Sequence, residues 1–207
     1  MRRAASTHVH GDLTCPRMPP FSRQPRPGAF DKVDHERTTP TPRVDAAPRS
    51  APMSMIGELR QVPATLIPAL HDPAARKTAL EAVMDSAGMS VDKAWDGLTA
   101  LLELQCTNGP LEGVAVHGVD TGYGPPQLLT PEEVRQCARE LSELGEDALR
   151  EAYDPAGMTA DGRYPDIWDR EDEREQNLDW LLAVFREVRA FYQDAAQRGN
   201  GVLFFLT

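Results

Sequence analysis

Across residues 53–207 the apolar positions fall into runs whose period switches between two and about 3.6, and each run predicts one element. In "MSMIGELRQV", Ile56, Leu59 and Val62 end at Pro63, which reads as a short strand with weak alternation. Residues 64–85 read as one or two short helices interrupted by Pro68 and Asp72-Pro73, because proline removes a helical donor. "SVDKAWDGLTALLEL" repeats Val91, Ala94, Trp95, Leu98, Leu101 and Leu102 at helical spacing, with Ser90 as the expected N-cap. Thr107-Asn108-Gly109-Pro110 ends that helix, and "GVAVHGV" supplies a short apolar strand.

Thr130-Pro131-Glu132-Glu133 predicts the sharpest helix start in the chain. Thr130 caps the Glu133 amide, Pro131 suits the first turn, and Glu133 reaches back to the cap. Val134, Cys137, Ala138 and Leu141 form the buried stripe, and a second short helix runs from Glu146 to Tyr153. The longest helix spans about Arg170 to Arg198, with Leu178, Leu181, Leu182, Phe185, Val188 and Tyr192 on one stripe. Trp180, Val184 and Phe191 widen that stripe enough to require contacts on more than one side. Gly199-Asn200-Gly201 stops it, and "VLFFL" closes the chain as a strand apolar on both faces, the mark of a covered sheet. The expected fold class is α/β or α+β: a single three-layer domain whose small mixed sheet is covered by helices, with a long C-terminal helix before a final buried strand.

Composition changes sharply at residue 53. Nine of the 18 prolines precede it, among Arg, Ser and Thr and with few apolar residues, so residues 1–52 are expected to be disordered. Arg2-Arg3 is not followed by the apolar stretch of a secretory signal. Two readings of the segment stand: a basic tail, or upstream sequence ahead of a natural start at Met53 or Met55. It carries nine Lys or Arg against five Asp or Glu, a net of +4, whereas residues 53–207 carry 13 against 27, a net of -14. An acidic core argues against nucleic-acid binding and leaves solubility or a basic protein partner. No apolar run reaches the roughly 20 residues needed to span a bilayer. Cys15, Cys106 and Cys137 form no CxxC pair, which fits reduced thiols in the cytosol rather than a disulfide framework or zinc site.

The candidate chemistry is sparse. Gly122-Tyr123-Gly124 lacks the lysine and spacing of a Walker loop, and Pro125-Pro126 removes the amides a dinucleotide loop would offer, so it reads as a structural turn. His71 and His117 belong to no nucleophile motif, no serine sits in a GxSxG elbow, and Cys106 and Cys137 read as structural thiols. Asp166, Asp169, Glu171, Asp172, Glu173 and Glu175 crowd the last helix's entrance, as helix electrostatics favours, without EF-hand spacing. Asp92 and Asp96, four apart on one expected helix face beside Lys93, suggest a local salt bridge or the lining of a cleft. Tyr164-Pro165-Asp166-Ile167-Trp168 sets two aromatics around a rigid proline, for core packing or a partner pocket. No cofactor and no metal site is expected.

Taken together, "MSMIGELRQV", "DKAWDGL", "GYGPPQLLTPEEV", "YPDIW" and "FYQDAAQRGNGVLFFL" resemble the YfbM-like family of bacterial proteins over about residues 53–207. The resemblance implies a cytosolic three-layer α/β domain with no established activity to inherit, and it favours a natural start at Met53. The matching positions are Asp92, Lys93, Trp95, Gly122, Tyr123, Gly124, Pro125, Tyr164, Pro165 and Trp168. Where the family commonly has a histidine, this chain has Thr99, so no mechanism is expected to use that imidazole. Two functions follow as expectations. One is a non-enzymatic binding domain of immunity or accessory type with a protein partner. The other is a small enzyme with a cleft of Asp92, Lys93, Tyr123 and Tyr164, to which Trp95 and Trp168 are added as ligand contacts.

Overall fold

The computed structural model describes residues 54–107 and 109–207, so the expected disordered tail and the possible start at Met53 lie outside the described residues. Five strands form one open sheet: β1 (Gly57–Val62), β2 (Gly88–Asp92), β3 (Val114–Ala115), β4 (Gln127–Leu129) and β5 (Gly201–Leu206), in the order β2-β1-β5-β4-β3. All four pairings are antiparallel, where a mixed sheet was expected; the apolar pattern sets the order of elements but carries no sign of strand direction.

The last strand, β5, lies at the centre, and its alternation explains its two-sided apolarity. Val202 and Phe204 face one core and Leu203 and Phe205 the other. On the second face lie α1 (Ile67–His71) and α2 (Arg76–Met84), whose Leu70, Ala79 and Val83 meet Val62, Leu203 and Phe205. The first face is covered by α3 (Trp95–Leu102), α4 (Pro131–Glu143), α5 (Glu146–Ala152), α6 (Pro155–Ala160) and α7 (Arg174–Arg198). This is the expected three-layer arrangement, with the sheet between two layers of helices.

Three expectations are corrected. Ser90 is not a helix cap: it lies in β2, which pairs antiparallel with β1 and shifts register between Gly57 and Glu58. Its hydroxyl accepts from Asp92 N at 3.1 Å, so a residue that could cap a helix serves a strand end instead. The helix therefore begins at Trp95, and Asp92 and Asp96 do not share a helix face, because Asp92 still belongs to the strand. The long helix begins at Arg174, since Glu171–Glu173 form a separate 3-10 turn.

Other sequence signals hold as read. Thr130 and Glu133 make the full capping box, with Thr130 N to Glu133 Oε2 at 2.7 Å. Val134, Cys137, Ala138 and Leu141 are all buried beneath α4. Gly199 closes α7 in the left-handed conformation at φ 68°, and Asn200 N bonds Ala195 O at 2.9 Å.

Candidate functional site

The fold gathers three of the six predicted site residues at the N-terminal end of α3. The Trp95 and Tyr164 rings stack with centroids 6.0 Å apart and planes 24° from parallel. Trp168 is buried, stacks on Trp180 at 6.5 Å, and presses against α3 at Gly97. A Cβ at Gly97 would stand 2.5 Å from the Trp168 ring, so a glycine lets the helix and the indole approach this closely. The indole Nε1 of Trp168 donates to Arg163 O at 2.9 Å, which folds the 163–168 segment back on itself. The peptide bond between Tyr164 and Pro165 is cis.

Two residues that sequence reasoning missed, or misread, tie that segment to α3. Arg163 donates from Nη1 to Asp96 Oδ1 at 3.1 Å and from Nη2 to Glu103 Oε1 at 2.5 Å. Asp96 Oδ2 accepts from the Tyr164 backbone amide at 2.8 Å. Burial works against the charge on Arg163, and the bonds to Glu103 and Asp96 more than offset it, so its pKa stays above the usual value. The partner of Asp96 thus lies 67 residues away rather than on its own helix. No spacing in the chain announces such a pair. Tyr164 Oη accepts from Met55 N at 3.3 Å, which brings the entry to β1 beside the same ring.

Asp92 and Lys93 lead into α3 from β2. Asp92 has φ 48°, and it is the one non-glycine residue among those described with a positive φ. Aspartate tolerates this conformation better than most side chains, at some cost in strain. Trp95 Nε1 is buried with no hydrogen-bond partner, so packing against Tyr164, not a polar bond, holds the indole.

Tyr123 sits elsewhere, on the connection from β3 to β4. β2 and β4 are separated by β1 and β5, so the two backbones stand about 14 Å apart at the usual strand spacing. The loop is organised by Asp120, a residue the sequence reading passed over. Its Oδ1 accepts from Gly122 N at 2.8 Å and Gly124 N at 3.1 Å, and those two bonds hold its carboxyl below the usual carboxylate range. Gly122 and Gly124 have φ of 115° and 111°, which suits glycine alone. Two amides that a phosphate would need are thus bonded to the loop's own carboxylate, and the turn reading holds. The D-x-G-x-G spacing was the available signal for it.

Among the described residues the two thiols offer no nucleophile at neutral pH. Burial, and then Glu140, pushes Cys106 up to about 11, and the same causes together with Cys106 push Cys137 up to about 12. Asp166, Asp169, Glu171, Asp172 and Glu175 are exposed to solvent at the approach to α7, as expected of charges around a helix start. Among the described residues no group of three His, Cys, Asp or Glu side chains could hold a metal ion, and no helix is long and apolar enough to cross a membrane.

Comparison with known proteins agrees with the fold. The crystal structure of YfbM, a protein of unknown function from Escherichia coli, is similar with a TM-score of 0.58 over 73% of this chain and 99% of that one. At 18% identity that likeness carries the architecture alone. No curated protein matches the chain. The model of one family matches residues 53–205, a span that takes in every element described above except the last residue of β5. The chain therefore belongs to the family described as Domain of unknown function (DUF1877).

Proposed function

We propose that this chain is a non-enzymatic binding domain, of immunity or accessory type, that takes a protein partner on the face built around Tyr164. The observation that carries the reading is how the charged groups there are used. Asp96 accepts two bonds, and Arg163 is shared between Asp96 and Glu103, so neither is left to move a proton. What the face presents is a half-buried tyrosine stacked on a tryptophan, with Pro165 half-buried and Asp166 exposed beside it in the chain. Such aromatics anchor protein interfaces, and the net charge of -14 over residues 53–207 favours a basic partner. The thiols held in their neutral form fit a reducing, cytosolic setting.

The test is quantitative capture from the source cell with the natural chain and with Tyr164→Ala as bait. The expected result is one reproducible partner, retained at least about tenfold less by the variant, the scale of an interface anchor. Repeated captures with no partner, or equal retention by both baits, contradict the proposal. A small enzyme is the second reading, its cleft now reduced to Asp92, Lys93 and Tyr164 because Tyr123 lies on the β3–β4 connection, and it is favoured by the left-handed backbone of Asp92. The same capture separates them, because that enzyme returns no stoichiometric partner.

A further inference from the structure

We infer that Asp96 is the positioning residue of the Tyr164 face, fixing the tyrosine through its backbone while Glu103 competes for the same arginine. The purpose of that positioning rests on the binding role proposed above; the positioning itself is read from bonds within the chain. The 163–168 segment is anchored unequally at its two ends. Its Trp168 end is set into the core, 4% exposed, against Gly97 and Trp180. Its Arg163–Tyr164 end contributes no buried apolar side chain and is only partly covered. That end is held by polar bonds: Tyr164 N and Arg163 Nη1 to Asp96, Arg163 Nη2 to Glu103, the Arg163 backbone to Met158 O and Trp168 Nε1, and the longer Met55 N to Tyr164 Oη.

Asp96 alone touches both the guanidinium and the Tyr164 backbone. It stands in the first turn of α3. Glu103 caps the other end of α3, seven residues and about two turns, roughly 10 Å of rise, further along. Positions seven apart lie on one face of a helix, so both side chains reach one guanidinium and share it. Without the Asp96 carboxylate, Glu103 keeps Arg163 and draws it toward the C-terminal end of α3, and the Tyr164 amide loses its acceptor. The ring then leaves its stack on Trp95 although the core beneath is unchanged.

The experiment reads the ring pair directly, by nuclear Overhauser contacts between Trp95 and Tyr164, in Asp96→Ala and Glu103→Gln; alanine, unlike asparagine, leaves the Tyr164 amide no side-chain acceptor. Asp96→Ala is expected to lose those contacts while the contacts of Trp168 persist. Glu103→Gln, at an exposed position, is expected to keep both. Ring contacts in Asp96→Ala like those of the natural chain overturn the inference. So does their loss in Glu103→Gln, which also decides the matter if Asp96→Ala fails to fold. Measuring partner capture on the same samples keeps the two readings apart. Displaced rings with undiminished capture support the positioning and contradict the binding face, whereas rings in place with capture lost contradict the positioning.

Discussion

Cys106 is half-buried and Cys137 fully buried, yet burial and the nearby Glu140 hold both thiols protonated, toward about 11 and about 12. A raised pKa means that the neutral thiol stabilises the fold. That contribution is complete below the ordinary thiol value of 9.0 and is lost as pH rises from there toward 11–12. In a chain carrying Cys15→Ser, an aromatic disulfide reagent at pH 8 is expected to leave the native protein largely unreacted and to label two thiols once urea unfolds it. The urea midpoint should also fall between pH 8 and pH 10, and fall less steeply in Cys137→Ala. Rapid native labelling at pH 8 would refute the assignment. The sequence reading of these cysteines as structural rested on their isolation from any motif, and their burial agrees with it. The tie between Asp96 and Arg163 was beyond such reading for a physical reason. They meet across 67 residues, and a long-range ion pair leaves no periodic trace, whereas the local Asp120 turn had a spacing that could have been read.

Among the elements, those that the chain specifies locally were the legible ones. The start of α4 combines a Thr cap, a first-turn proline and a returning Glu133, and the structure forms all three. Thr130→Ala removes the hydroxyl that bonds Glu133 and caps its amide, and is expected to lower stability by about 1 kcal/mol in urea unfolding. No change would mean that tertiary packing, not the cap, fixes this end. The Ser90–Asp92 part of β2 was read as the front of a helix, since "GMSVD" carries little apolar alternation. It is an edge strand, four of its five residues are not fully buried, and a bulge shifts its register against β1. α6 was missed because six residues, two of them Pro and Gly, give too short a window for a period to appear.

At the scale of the whole molecule, the two-faced apolarity of "VLFFL" correctly predicted a sheet covered on both sides. It could not say that this last strand would lie at the centre, with the first strand on one flank and β4 on the other. That placement decides the geography of the candidate residues. Trp95, Tyr164 and Trp168 come together on the α3 side, with Asp92 and Lys93 leading into the same helix, and Tyr123 stands beyond two intervening strands. The sequence listed all six without the strand order that sorts them.

The central claim is that this face meets a partner, and in-cell photo-crosslinking tests it most directly. A photoreactive phenylalanine at position 164 is compared with one at position 77, which is exposed on α2 across the sheet. The account predicts a single heavier adduct from position 164 and none from position 77. No adduct at 164, or equal adducts at both, would contradict it.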